Sequence, residues 1–122
     1  MANTFRVITH DVMPASAGTP ETLYTCPSST TAIVLGLILT NKHTAVVTAD
    51  VILSSDTTTS VNTGAAANNT DVFLLNDTPI PEGSTLEILS GNKLALQTTD
   101  ILKIDCSIAD KVSVALTIME IT

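Results

Sequence analysis

The chain is 122 residues long, 44% of them hydrophobic and 2% aromatic, and it carries a net charge of −7. That length suits one domain with a real core, and because Phe5, Tyr24 and Phe73 are the only aromatics the core must be aliphatic. Twelve acidic residues against five Lys and Arg repel phosphate backbones and anionic headgroups, which excludes nucleic acid and membrane surfaces as expected partners.

Residues 4–12 alternate weakly, Phe5, Val7 and Thr9 against Arg6, Ile8 and His10, and read as a strand. Residues 13–21, M-P-A-S-A-G-T-P-E, carry two prolines and a glycine and read as a loop or tether. The expected division is therefore an N-terminal strand and tether over residues 1–21 and a sheet domain over residues 22–122. The first strand would be free to stand away from the body or to pair with a neighbouring subunit. The N-terminus has no basic region leading into an apolar run, so secretion is not expected, and neither is a disulfide between Cys26 and Cys106.

Residues 22–26 form a short strand turned by Pro27-Ser28-Ser29. The next stretch, T-A-I-V-L-G-L-I-L-T-N over residues 31–41, is apolar at odd and even positions alike. It is too short to span a bilayer, which takes about 20 residues, and its Ile and Val suit a strand. Such a strand is covered on both faces, or turns one face to another chain. Asn41-Lys42-His43 reads as a hairpin turn into a strand over residues 44–54, with Ala45, Val47, Ala49, Val51 and Leu53 on one face. Residues 55–70 are small and polar without periodicity, a long loop of the kind usually tied to function.

The remaining strands are expected at 71–75, 84–89, 93–97, 101–108 and 112–121, with turns at 76–83, 90–92 and 98–100. Leu102, Ile104, Cys106 and Ile108 should lie inside and Lys103, Asp105 and Ser107 outside. In the last strand Val112, Val114, Leu116 and Ile118 should face the core. About eight or nine strands at about ten-residue spacing predict an all-β fold, an antiparallel β-sandwich of jelly-roll type.

The chemistry-bearing residues are sparse. His10 and His43 are the only imidazoles and make no metal-ligand spacing. The two cysteines are far apart with no C-x-x-C. The carboxylates are dispersed and form no calcium-loop run, each glycine stands alone, and a sugar platform would need more aromatics. No catalytic residue, cofactor or metal is assigned, and an enzyme is not expected.

The phrase L-Y-T-C-P-S-S-T-T-A-I-V-L-G-L-I-L-T-N, residues 23–41, resembles one found in small structural proteins of tailed phages. An aromatic-containing strand is followed by a proline turn and a Thr-Ala-Ile-Val-type strand ending in Asn. P-I-P-E-G-S-T-L-E-I-L-S-G-N-K-L-A-L-Q-T-T-D-I-L-K-I and the terminal V-S-V-A-L-T-I-M-E-I-T fit the same pattern. The usual proline-alanine-glycine turn is replaced here by Pro27-Ser28-Ser29. The resemblance implies a virion component made in the host cytoplasm: a capsid decoration (cement) protein, or a neck, tail or baseplate subunit, with a receptor- or glycan-binding module as a further alternative. It also implies a homo-oligomer, a trimer being favoured, and phage structural proteins as partners. Assembly contacts are then expected from the N-terminal strand, at Phe5 and Val7, and from the long loop, at Thr57, Asn62 and Asn69. The long loop or the N-terminal arm would order on assembly.

Overall fold

The computed structural model describes residues 2–55, 69–89 and 93–122. Among these there are nine strands and no helix: β1 (Asn3–Met13), β2 (Glu21–Thr25), β3 (Thr31–Asn41), β4 (Val47–Ser54), β5 (Val72–Ile80), β6 (Thr85–Ile88), β7 (Leu94–Leu96), β8 (Ile101–Cys106) and β9 (Val112–Ile121). One antiparallel sheet runs β1-β9-β3-β6, and the other runs β2-β8-β4-β5. β7 and β6 pair with successive parts of β3, at Ala32–Val34 and Leu37–Thr40, and so share one lane. Successive strands mostly hop from one sheet to the other, the wrap of a jelly roll. The expected fold class stands.

Side-chain alternation builds the core. Val112, Val114, Leu116 and Ile118 of β9 face Val47, Ala49 and Val51 of β4 and Leu102 and Ile104 of β8, all buried. β3 obeys the same rule with one interruption. Ala32 and Val34 are buried, a bulge intervenes between Val34 and Gly36, and burial resumes at Leu37 and Leu39. The extra residue shifts the side-chain phase by one. A strand that reads as apolar on both faces thus has one core face and one outward face.

Several expectations are corrected. The segment read as a strand on a tether is part of the body: β1 pairs with β9 from Asn3 to His10 without a break. The loop after it turns at Ser16–Thr19, where the Thr19 amide reaches the Ser16 carbonyl at 3.2 Å and Gly18 takes φ +81°. The Gly18 amide then donates to Asp105 Oδ1 at 3.0 Å, docking the loop on the second sheet. Asp105, expected outside, is therefore buried, while Ile108, expected inside, is 37% exposed.

Residues 41–43 are not a hairpin turn, since β3 and β4 lie in different sheets. The reason is Asn41, only 1% exposed at the end of an apolar strand. Its amide nitrogen donates to the carbonyls of Ala45 and Ile80, both at 2.9 Å, and of Pro81 at 3.2 Å. Its side-chain oxygen accepts from the His43 amide at 2.7 Å. One side chain thus fastens the crossover between sheets. β5 also runs on to Ile80, through the expected turn at 76–80. Register shifts and a left-handed Asp77 (φ +49°) absorb N-D-T-P, and Pro79 is tolerated because β5 is an edge.

Candidate assembly face

The outward face of the β1-β9-β3-β6 sheet is ordered by its registers into lateral rows. Phe5, Met119, Ile33 and Ala95 form one; Val7, Thr117 and Gly36 the next; Thr9, Ala115, Ile38 and Glu87 a third; Ser113, Thr40 and Thr85 a fourth. Phe5 is 70% exposed, Val7 66% and Ile38 38%. The only charge in these rows is Glu87, on the short far strand. Asp11 stands at one end, where Lys42 Nζ donates to Oδ1 at 2.9 Å and Ser113 Oγ donates to its carbonyl at 2.7 Å. The Lys42 ammonium beside it holds the Asp11 carboxyl below its usual value. A shallow depression of about 330 Å³ lies among Thr9, Ile38, Thr40, Ser113 and Ala115, with His10 and Asp11 also in its wall, and offers methyl groups and hydroxyls beside one carboxylate.

The opposite face differs in character. Asp50 and Asp105 lie directly across from one another, and the Asp77 amide donates to Asp50 Oδ1 at 2.6 Å. Lys103 is on the same face, opposite Ile52. Among the described residues no group of three or more His, Cys, Asp or Glu has the arrangement of a metal site. That face also carries Phe73, 56% exposed and opposite Ile52, so it mixes Asp50 and Lys103 with apolar side chains, whereas the rows of the first sheet hold one charge, Glu87.

Beneath the apolar face a polar lock holds β1 to the body. Glu120 continues the core-facing positions of β9 and is 8% exposed. It accepts from Tyr24 Oη at 2.7 Å, across the sandwich, and from Arg6 Nε on β1. These bonds, that of Tyr24 foremost, hold the Glu120 carboxyl below its usual value. Burial, with Glu120 second, pushes the Tyr24 hydroxyl up. His10 Nε2 meets Glu21 Oε2 at 3.0 Å, joining β1 to β2 at the same margin.

Of the expected contact residues, Phe5 and Val7 lie next but one on β1 and project from the face. Asn69 does something else: its amide donates to Ser55 Oγ at 3.1 Å, and Ser55 Oγ donates to Asp100 Oδ1 at 2.6 Å. Asn69 thus helps tie the two ends of the long loop together. Thr57 and Asn62 lie outside the described residues. Of the two segments of which one was expected to order on assembly, β1 is already paired from Asn3 to His10, and most of the long loop lies outside the described residues. Ile33, Ile38, Thr117 and Met119 are the face residues that reading the sequence did not single out. For Ile33 and Ile38 the signal was the two-sided apolarity of residues 31–41, and for Thr117 and Met119 it was the alternation of residues 112–121.

The thiols sit apart. Cys26 follows β2 beside Asp100, at one end of β8, and Cys106 closes the other end of β8, so no disulfide can join them. Burial pushes the Cys106 thiol up to about 12 and raises that of Cys26. Neither is an activated nucleophile.

No family model and no curated protein matches the chain.

Proposed function

We propose that this protein is a non-enzymatic structural subunit of a tailed-phage virion, a capsid decoration protein that seats its uncharged sheet face on the major capsid protein. The observation that carries the reading is the exposed Phe5–Val7–Ile38 surface on a chain of net charge −7. A soluble monomer has no need of such a surface, and contiguous exposed apolar patches mark interaction sites. Four lanes about 4.8 Å apart and about ten residues long at about 3.4 Å each make a face of about 600 Å². That approaches the area one partner contributes to a standard interface, about 800 Å². Jelly rolls recur in viral capsid proteins, an analogy at the level of fold, and the strand phrases of residues 23–41, 79–104 and 112–122 point the same way. Synthesis in the host cytoplasm and assembly as a homo-oligomer, a trimer being favoured, belong to the same proposal.

Phe5→Glu tests it. Because Phe5 is 70% exposed, the substitution should change stability by no more than about 0.5 kcal/mol. It should weaken binding to purified capsid shells by about 30-fold or more, the loss expected for an aromatic anchor of an interface. Co-sedimentation with shells and with isolated tails reads the result. Binding to tails alone moves the subunit to the neck or tail, and binding to neither overturns the proposal.

A further inference from the structure

The four edges of a two-sheet sandwich are open templates for strand pairing unless something blunts them. Three are blunted here. β2 is five residues long with a register shift between Thr22 and Tyr24. β5 carries two register shifts, the left-handed Asp77 and Pro79. The β6–β7 lane is broken into strands of four and three residues. β1 is the exception. It is eleven residues long, contains no Pro or Gly, and pairs with β9 from Asn3 to His10 in one register, its single shift falling at the end, between His10 and Met13. Among the described residues its other edge pairs with nothing.

The charges of β1 do not guard that edge. Arg6 is held by Glu120, His10 by Glu21, and Asp11 by Lys42. The side chains left projecting outward are Asn3, Phe5, Val7 and Thr9, none of them charged.

We infer that β1 is a self-association edge, pairing antiparallel with β1 of a second copy about a two-fold axis that opposes Val7 to its own counterpart. A sheet continued across a two-fold must keep its core face on one side, so inward residues oppose inward residues and the axis passes through one residue position. Centring on Arg6 sets two guanidinium groups against each other. Centring on Ile8 pairs Asn3 with Met13 and so carries the ladder across the register shift between His10 and Met13. Centring on Phe5 shortens the overlap to residues 3–7. Centring on Thr9 draws the irregular stretch between His10 and Met13 into the pairing of both strands. The Val7 register runs over residues 3–11 with no like charges opposed: Phe5 meets Thr9, Arg6 meets Ile8, Thr4 meets His10 and Asn3 meets Asp11. Heterologous pairing with a different edge is disfavoured because the other edges are blunted. The contact joins the two apolar faces into one surface, and because it is isologous it yields even copy numbers; a ring of three would appear as six.

The inference stands on edge geometry and not on the capsid reading, so each can fail alone. Native mass spectrometry of the isolated chain should show twice the chain mass. Val7→Cys places two thiols directly opposite, with Cα atoms about 4.5–5.5 Å apart, inside the range a disulfide spans. Mild oxidation should then give a covalent dimer in high yield. Thr9→Cys, whose counterpart lies four residues along and so about 14 Å away, should give almost none. Val7→Lys should return the protein to the monomer mass with its melting temperature nearly unchanged, because the position is 66% exposed. Thr117→Lys, on the same face one strand away, should leave the dimer intact. A monomer at several hundred micromolar overturns the inference. So does a dimer that Val7→Cys fails to cross-link, or one that Thr117→Lys disrupts and Val7→Lys spares. Should Val7→Lys fail to fold, the cross-linking pair still decides.

Discussion

Replacing Asn41 by Leu should lower the unfolding free energy by about 2–4 kcal/mol, among the largest effects of any single substitution outside the apolar core. Leu fills nearly the same volume, so packing changes little. What is lost is the side chain that satisfies the Ala45 and Ile80 carbonyls and the His43 amide, while the Pro81 carbonyl keeps the Ser84 amide at 3.1 Å. A buried carbonyl left without a donor loses its hydration with no return. Against a total stability of about 5–15 kcal/mol, equilibrium denaturation in urea would show a clearly lower midpoint with an unchanged slope. Asn41→Asp is the sharper variant. It turns a carboxylate oxygen toward three carbonyls, which favours the protonated acid in the folded state and raises its value above the ordinary 3.9 or so. The stability of that variant should therefore fall as pH rises from about 4 to 7. A flat profile, or a midpoint equal to wild type, would show that the crossover does not depend on this amide.

The second large effect concerns the bond between the sheets. Tyr24→Phe removes the hydroxyl that donates to Glu120 at 2.7 Å, a bond to a charged acceptor worth about 1.5–3 kcal/mol. The pH dependence follows from the directions of the two shifts. The Glu120 value is lowered by folding from 4.5, so its contribution is complete above that pH and is lost as pH falls through the lowered value. The Tyr24 value is raised from 10.0, so its contribution is complete below pH 10 and is lost as pH rises beyond. Wild type should therefore weaken at both extremes. Glu120→Gln should flatten the acid limb, and Tyr24→Phe should abolish the alkaline limb and reduce the acid one. Thermal melts across pH read both limbs. If Tyr24→Phe left the alkaline limb unaltered, that limb would belong to another group.

How far the amino-acid string discloses this molecule varies by element. β9 was legible because ten residues alternate strictly, and every residue expected inside is buried. Ile108 misled because alternation was carried past the end of β8 at Cys106, where the chain leaves the sheet and the rule lapses. Residues 76–80 misled in the opposite direction. Asn, Asp and Pro are turn formers, yet an edge strand can keep them by bulging. Phe5 and Val7 could be picked out as exposed apolar residues because they lie in a segment with little else to bury them. Asn69 was picked for its place in a polar loop, and only contact with Ser55 reveals its part in the neck.

Taken alone, the residue order determined that the chain folds as sheets, that its core is aliphatic and that the strand at 31–41 has more apolar surface than one core face needs. Strand-period alternation is a local property, and so it survives without knowledge of neighbours. Tertiary structure decided the rest. A bulge between Val34 and Gly36 sorted the apolar residues of β3 into core and outer face. Asn41 sent β4 to the opposite sheet, and the place of β1 at the end of the strand order left its edge open. Each of these depends on which distant backbone groups meet, and that is a matter of register and closure that no window of adjacent residues contains.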